Sequence, residues 1–454
     1  MGVIDTGPGL KRSVTLLQAV MYGIGLILGA GIYVLIGDVA AISGNAMWIS
    51  FLLAAAMASF TGLSYAELSS VFPKSAAEYV YVKESFGNNF LALIVGCLTI
   101  FVAITSAATV AIGFSGYLAV LLPQYPPILY AVGLVLVLSF LNYYGIRESV
   151  WVNSIFTIVE VSGMLIIISV GLSLGSFAET NYFEMPSMAY ASDSAIISTI
   201  LASTVLVFFA YYGFENISNI SEETKNSTKT IPRAIIVSIL VTTIIYVLVA
   251  LTTVALVGWE ELSNSTAPLA LAASKALGTN GTAILTVIAL FATTNTVLMM
   301  LISGSRIIFG IAKYDKAIPG ILAQVHTSRK TPWLATIFTM AFTVSTIILY
   351  SGRLADIAAV SVFSISIVFA LVNLSVICLR LRQPNLKRPF MSPLKVKNLP
   401  ILAVLGFVMT VVIMFQFNIH VLSSALVALI CIIILCLILT KRKTDQKLEG
   451  SLKF

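Results

Sequence analysis

Apolar residues run along this chain in long, nearly unbroken stretches. They do not form the i, i+3, i+4 stripe of a surface helix or the alternation of a half-buried strand. A helix rising 1.5 Å per residue needs about 20 apolar residues to cross a bilayer core. Twelve stretches are read as spans, centred in 15–36, 46–69, 90–121, 127–143, 151–174, 194–219, 233–258, 281–311, 333–350, 354–379, 399–417 and 419–440. The third and eighth are long enough to imply tilt. The pattern predicts an all-α polytopic membrane protein with twelve transmembrane helices and no polar stretch long enough for a soluble domain.

Two of these spans are irregular. The first contains GIGLILGAGIY, Gly23 to Tyr33, with glycines at 23, 25, 29 and 31. Each interior Gly costs a helix about 1 kcal/mol relative to Ala, and Gly29, Ala30 and Gly31 together form a backbone that can unwind and be approached closely. Unwound backbone at membrane depth is tolerated only against protein or a water-filled cavity, so this stretch is a candidate binding site. Gly25 and Gly29 also form a GxxxG pair, whose alternative reading is close helix packing. The GxG at Gly23 and Gly25 follows no strand, which excludes a dinucleotide fingerprint.

The sixth span, LASTVLVFFAYYGFENISNISEE, turns polar after Gly213, with Glu215, Asn216, Ser218 and Asn219. Either the helix ends at the membrane surface, or it breaks at Tyr211 to Gly213 and resumes as a polar half-helix. If spans one to five and six to ten are copies of one unit, the odd number inverts the second copy and the two irregular spans correspond. The expected layout is a single membrane domain, 1–454. It has a 5+5 inverted repeat (14–175 and 194–380), broken helices 1 and 6, and two additional C-terminal helices at 398–440.

Composition agrees: the 454 residues are 59% hydrophobic and 10% charged, against about 25% charged in ordinary soluble domains. The net charge of +7 is accounted for without nucleic acid. With the N-terminus in the cytoplasm, only Lys275 and Arg353 fall outside, leaving the other 24 of the 26 Lys and Arg inside. Both termini are then cytoplasmic, in a multi-pass protein of the cell membrane. The first apolar stretch is too long for a signal-peptide core and is read as a retained span. Cys97, Cys378, Cys431 and Cys436 sit in apolar spans without paired spacing, so they are expected as free packing residues. No nucleophile and base pair or metal cluster stands out, so no enzyme, metal site or cofactor is expected.

Polar residues inside spans are the remaining candidates. Glu160 lies nine residues into the fifth span, about 13 Å deep and close to the midplane. An ionisable residue there marks function by default, and its bland alternative is a neutral, hydrogen-bonded carboxyl. In the eighth span Thr293, Thr294, Asn295 and Thr296 interrupt an apolar helix. They either bond their own backbone or face a cavity and coordinate a cation. Glu67, near the cytoplasmic end of the second span, reads as a solvated or capping carboxylate or as a gate. Pro73 ends that helix, and Tyr79 and Tyr81 suit an interfacial anchor. His326 and His420 read as incidental.

Several of these segments resemble the amino acid, polyamine and organocation (APC) transporters. They are GLILGAGIY, YAELSSVFPKSAAEYVY, FFAYYGFEN, EETKNSTKTIPRAI, APLA at Ala267 to Ala270, and SGSRIIFGIAKYDKAIP. The resemblance implies the inverted-repeat fold, with the backbone of the two broken helices holding an amino acid. The N–H groups of Ala30 and Gly31, beside Gly29, would face the α-carboxylate, as anions sit at helix N-termini. The carbonyls of Ile27, Phe209 and Tyr212 would receive the ammonium group, and the Phe209 ring would cover the substrate. Glu215 matches a position involved in gating or coupling.

Two departures from the family pattern stand out. Ala76, Ala77 and Glu78 replace the usual Gly pair, and Glu160 stands where several relatives carry a Lys. The reversed charge invites a cation, either a proton on Glu160 or a Na⁺ shared with the eighth span. Burial disfavours a charged carboxylate, which favours the proton. The resulting expectation is a secondary active amino acid transporter working by alternating access with proton-coupled uptake. The alternatives are an exchanger, a polyamine carrier or a membrane amino acid sensor. The apolar and hydroxylic lining suggests neutral or small substrates, with Glu215 leaving a cationic one open. The sequence does not determine an oligomeric state.

Overall fold

The computed structural model describes residues 10–175, 177–187, 192–265, 268–315, 318–350, 354–417 and 419–451. Arg353, and Ala267 of the APLA segment, lie outside them. The helices are α1 (Leu16–Ser43), α2 (Met47–Val71), α3 (Ala77–Phe86), α4 (Asn89–Leu121), α5 (Pro127–Tyr144), α6 (Ile146–Leu174), α7 (Asp193–Ala210) and α8 (Asn216–Asn219). They continue with α9 (Ser227–Val257), α10 (Trp259–Ser263), α11 (Pro268–Leu277), α12 (Thr279–Tyr314), α13 (Trp333–Tyr350), α14 (Leu354–Arg382), α15 (Ile401–Met414) and α16 (Ile419–Ser451). A two-residue ribbon pairs Lys395–Val396 with Leu399–Pro400. The chain is an all-α polytopic membrane protein. Among the described residues ten helical stretches are long and apolar enough to cross a membrane. Two shorter apolar helices, Trp333–Leu349 and Ile401–Met414, stand where the sequence places the ninth and eleventh spans.

Local signals set the helix ends. Thr15 and Gln18 form a capping box at the start of α1, the Thr15 N–H donating to Gln18 Oε1 at 3.0 Å. Asn88 caps α4 by accepting the Phe90 and Leu91 N–H groups, both at 3.0 Å. α2 stops at Val71, two residues before Pro73. Ala76, ahead of α3, adopts the left-handed conformation (φ 54°, ψ 53°). That geometry costs an L-residue about 1–2 kcal/mol and is one that glycine adopts without strain.

α1 runs through the interior, packed by α6, α7, α9 and α12; Tyr22, Leu28, Ile32 and Ile36 on it are fully buried. Other extensive contacts join α2 to α9, α4 to α12 and α5 to α13. Small residues permit the approach, as expected where lipid is as apolar as the interface: a Cβ built on Gly304 of α12 would lie 3.1 Å from Thr339 and 3.3 Å from Ala103. α15 and α16 pack on α14 at the periphery, exposing Phe415, Ile419 and Val427 as a lipid-facing surface.

Tyr79 and Tyr81 are fully buried and are therefore not interfacial anchors. The Tyr79 hydroxyl donates to Asp315 Oδ2 at 2.8 Å, pinning α3 to the end of α12. Glu67 is not solvated. It is buried and receives Arg380 Nε at 2.9 Å, Arg388 Nε at 3.2 Å and the Ser392 N–H at 2.9 Å, which ties α2 to α14 and its following loop. The four cysteines are free thiols.

Candidate substrate site

The helix of α1 is interrupted at Gly29, whose backbone is non-helical (φ 19°, ψ −153°). α7 ends at Ala210, residues 211–215 form turns, and α8 adds a single further turn. Of the two options for the sixth span, the chain breaks and resumes, although the resumed helix has only four residues. Gly213 takes φ 128° there, and a Cβ on it would lie 3.1 Å from Leu26 Cβ, so both conformation and space call for glycine. The two breaks meet directly: a Cβ on Gly31 would stand 3.1 Å from Ala210 Cα and 3.2 Å from its Cβ.

Between the breaks lies a cleft with about 570 Å³ of space between atoms, its open mouth included. Of the residues the sequence assigns to substrate, Ile27, Gly31, Phe209 and Tyr212 line it. Gly29 makes the break beside Thr296. Ala30 lies in the helix, with its side chain outside the described set. The opposite wall comes from Ser106, Thr109 and Val110 of α4, Thr296 and Met300 of α12, and Ser361 and Val362 of α14.

Sequence reasoning missed Tyr246 on α9. Its buried hydroxyl lies 2.5 Å from the Ile27 carbonyl oxygen and 3.0 Å from that of Ala210, so one side chain bridges both breaks. The available signal was a lone phenol in an otherwise aliphatic and hydroxylic span, VTTIIYVLVALTTV.

Glu215 is buried. Its Oε2 accepts the Gly213 N–H at 3.0 Å and its Oε1 accepts from Asn216 Nδ2 at 2.7 Å, so both oxygens close the turn of their own break. Asn216 in turn receives the Ser303 hydroxyl of α12.

Glu160 on α6 is fully buried. Asn295 Nδ2 donates to its Oε2 at 3.3 Å, while its Oε1 has no hydrogen-bond partner among the described residues. Asn295 Oδ1 receives Asn153 Nδ2 at 2.8 Å, and Asn295 Nδ2 also reaches Thr157 Oγ1 at 3.2 Å. Thr157 donates to the Met21 carbonyl of α1 at 3.2 Å, linking the carboxyl to the broken helix. Asn153, Thr157 and Glu160 share one face of α6 at i, i+4, i+7, a pattern visible in the sequence but not used there. Asn153 Oδ1 is a second buried oxygen without a partner among the described residues. Thr293 is not part of this group, because its hydroxyl donates to Ala289 of its own helix at 2.8 Å. Thr294 is half-buried, and neither threonine lines the cleft.

At the far end of α8 a buried clamp closes the bundle. Arg306 of α12 and Glu223 are both fully buried and bonded by two contacts, each 3.0 Å. Arg306 also reaches Asn142 of α5 and Ser305. The Glu223 carbonyl accepts the N–H groups of Ser13 and Val14 at 2.9 and 3.0 Å, attaching the segment before α1.

The fold and cleft define a polytopic membrane protein organised around two interrupted helices that share one cavity. The sequence profile of the amino acid permeases matches residues 14–439. The chain is 32% identical over 421 residues to the branched-chain amino acid permease of Bacillus subtilis, covering 87% of this chain and 86% of that one. It is 30% identical over 406 residues to the methylthioribose transporter of the same organism, covering 85% and 84%. It is 28% identical over 409 residues to the vacuolar cationic amino acid transporter 2 of Arabidopsis thaliana, covering 86% of this chain and 63% of that one. The chain belongs to the amino acid permease family of the APC transporters, and is a transporter rather than an enzyme.

Proposed function

We propose that this protein is a secondary active transporter that takes up an amino acid across the cytoplasmic membrane by alternating access, coupled to protons through Glu160. The observation that carries this reading is the contact of the two breaks across an uncharged cleft. Gly29 interrupts α1 just ahead of Ala30 and Gly31, and Ile27, Gly31, Phe209 and Tyr212 line the cleft; on this reading the amides of Ala30 and Gly31 take the α-carboxylate and the carbonyls of Ile27, Phe209 and Tyr212 take the ammonium group. The partnerless Oε1 of Glu160 supports the proton: a buried carboxylate oxygen without a donor strands a charge that a neutral carboxyl does not.

The pairing of α1 with α7, α2 with α9, α4 with α12 and α5 with α13 supports an inverted repeat. Those are equivalent positions of residues 14–175 and 194–380, as a two-fold axis in the membrane plane would bring together. The helices at 398–440 fit a twelve-helix layout, and the bias of Lys and Arg supports cytoplasmic termini. The test is uptake of labelled amino acids into proteoliposomes with proton and sodium gradients imposed separately, with unlabelled methylthioribose and diamines as competitors. Accumulation driven by the proton gradient alone is expected. Accumulation that requires sodium overturns the coupling, and competition by methylthioribose but by no amino acid overturns the cargo.

A further inference from the structure

We infer that the cargo carries an uncharged, apolar side chain, and that Val110, Met300 and Val362 form the wall that selects it; this rests on the amino acid reading above. Among the described residues, none that lines the cleft is acidic or basic. Neither buried carboxylate described above belongs to the lining: Glu215 closes its own turn with both oxygens, and Glu160 bonds Asn295 through Oε2. A cationic side chain would enter without a counter-ion, and an anionic one without a cation. Either would bury an unpaired charge at membrane depth, a heavily disfavoured arrangement.

Two hydroxyls of the wall are bonded within the protein. Ser361 Oγ lies 2.7 Å from the Ile357 carbonyl and 2.6 Å from Thr105 Oγ1, and Thr296 donates to Ala292 at 3.1 Å. Thr109 keeps a buried hydroxyl without a partner among the described residues, and one neutral hydroxyl does not compensate a full charge. Beside the neutral hydroxyls of Ser106, Thr109 and Tyr212, the surface facing the cargo is methyl and thioether. That chemistry fits aliphatic or thioether side chains such as those of valine, leucine, isoleucine and methionine.

The experiment uses the full-length protein in liposomes with labelled leucine and, separately, labelled lysine. Leucine is expected to accumulate. Valine, isoleucine and methionine at about 100-fold excess should cut that uptake about tenfold or more, while lysine, arginine and aspartate change it by less than about twofold. Val110→Asp places a carboxylate in the wall and should raise lysine competition about tenfold or more while weakening leucine uptake. Lysine or arginine competing as well as valine in the unaltered protein overturns the inference and leaves amino acid transport standing. Failure of both labels to accumulate overturns the transport reading itself. A folded V110D protein with unchanged leucine and lysine behaviour removes Val110 from the selecting wall.

Discussion

Tyr246→Phe tests how the empty and loaded sites differ. In the structure the hydroxyl supplies a donor to the shared edge of the two breaks, 2.5 Å from the Ile27 carbonyl oxygen and 3.0 Å from that of Ala210. Phenylalanine keeps the ring, which packs on Phe51 and Tyr211 at centroid distances of 5.6 and 5.2 Å, and removes only the donor. A buried carbonyl left without a partner costs about 1–3 kcal/mol. In the empty protein that loss is uncompensated. On the proposed reading, the substrate ammonium facing Ile27 supplies donors to the same edge in the loaded protein. The variant should therefore be less stable than wild type by about 1–3 kcal/mol when empty and by less when loaded, which tightens apparent affinity by up to roughly 5- to 150-fold. Thermal unfolding of the purified protein with and without saturating substrate, together with calorimetric binding, reads both quantities. An equal loss of stability in the two states, or weaker binding by the variant, would refute the idea that the hydroxyl and the ammonium share one acceptor edge.

Glu160→Gln should abolish proton-driven accumulation in proteoliposomes while exchange of bound amino acid persists in part; unchanged proton-driven uptake would sink the coupling assignment. Gly31→Val should eliminate substrate binding in a monodisperse protein, because even a bare Cβ there sits 3.1 Å from Ala210 Cα, and normal binding by the variant would count against a site at the break. Glu223→Gln should destabilise the protein by about 3–5 kcal/mol by stranding the buried Arg306 charge, whereas Glu223→Leu combined with Arg306→Met should recover most of that loss; equal stability of the single and double variants in denaturant titrations would contradict the account.

Burial pushes the Glu78 carboxyl up from its ordinary 4.5 to about 7. The unfolded chain releases that proton first, so stability should fall by up to about 3 kcal/mol as pH rises from 4.5 to 7 and then level off. Glu78→Gln should flatten that slope in melting curves, and parallel profiles for the two proteins would refute it.

The spans and the positions of the breaks were legible because each depends on local chemistry. Lipid rewards apolar runs wherever they occur, and glycine weakens a helix through its own missing Cβ. The boundaries of α4 and α12, the stop of α2 before Pro73 and the interruption at Gly29 all follow from residues within a few positions. Tyr79 and Tyr81 were misread for the converse reason: their composition suits an interface, but α12 brings Asp315 over Tyr79 from 236 residues away. Glu160 was visible as an oddity, whereas its partner Asn295 lies 135 residues on.

The sequence by itself thus determined a membrane bundle with two weak points and a charge at depth. Only the tertiary structure decided what those features face. Tyr246 spans 219 residues to reach Ile27, Arg306 spans 83 to reach Glu223, and Glu215 turns inward to its own break. A hydrogen bond or ion pair is set by the distance between two atoms in space. Which distant atoms meet depends on how the helices pack, and a periodic apolar pattern does not encode that.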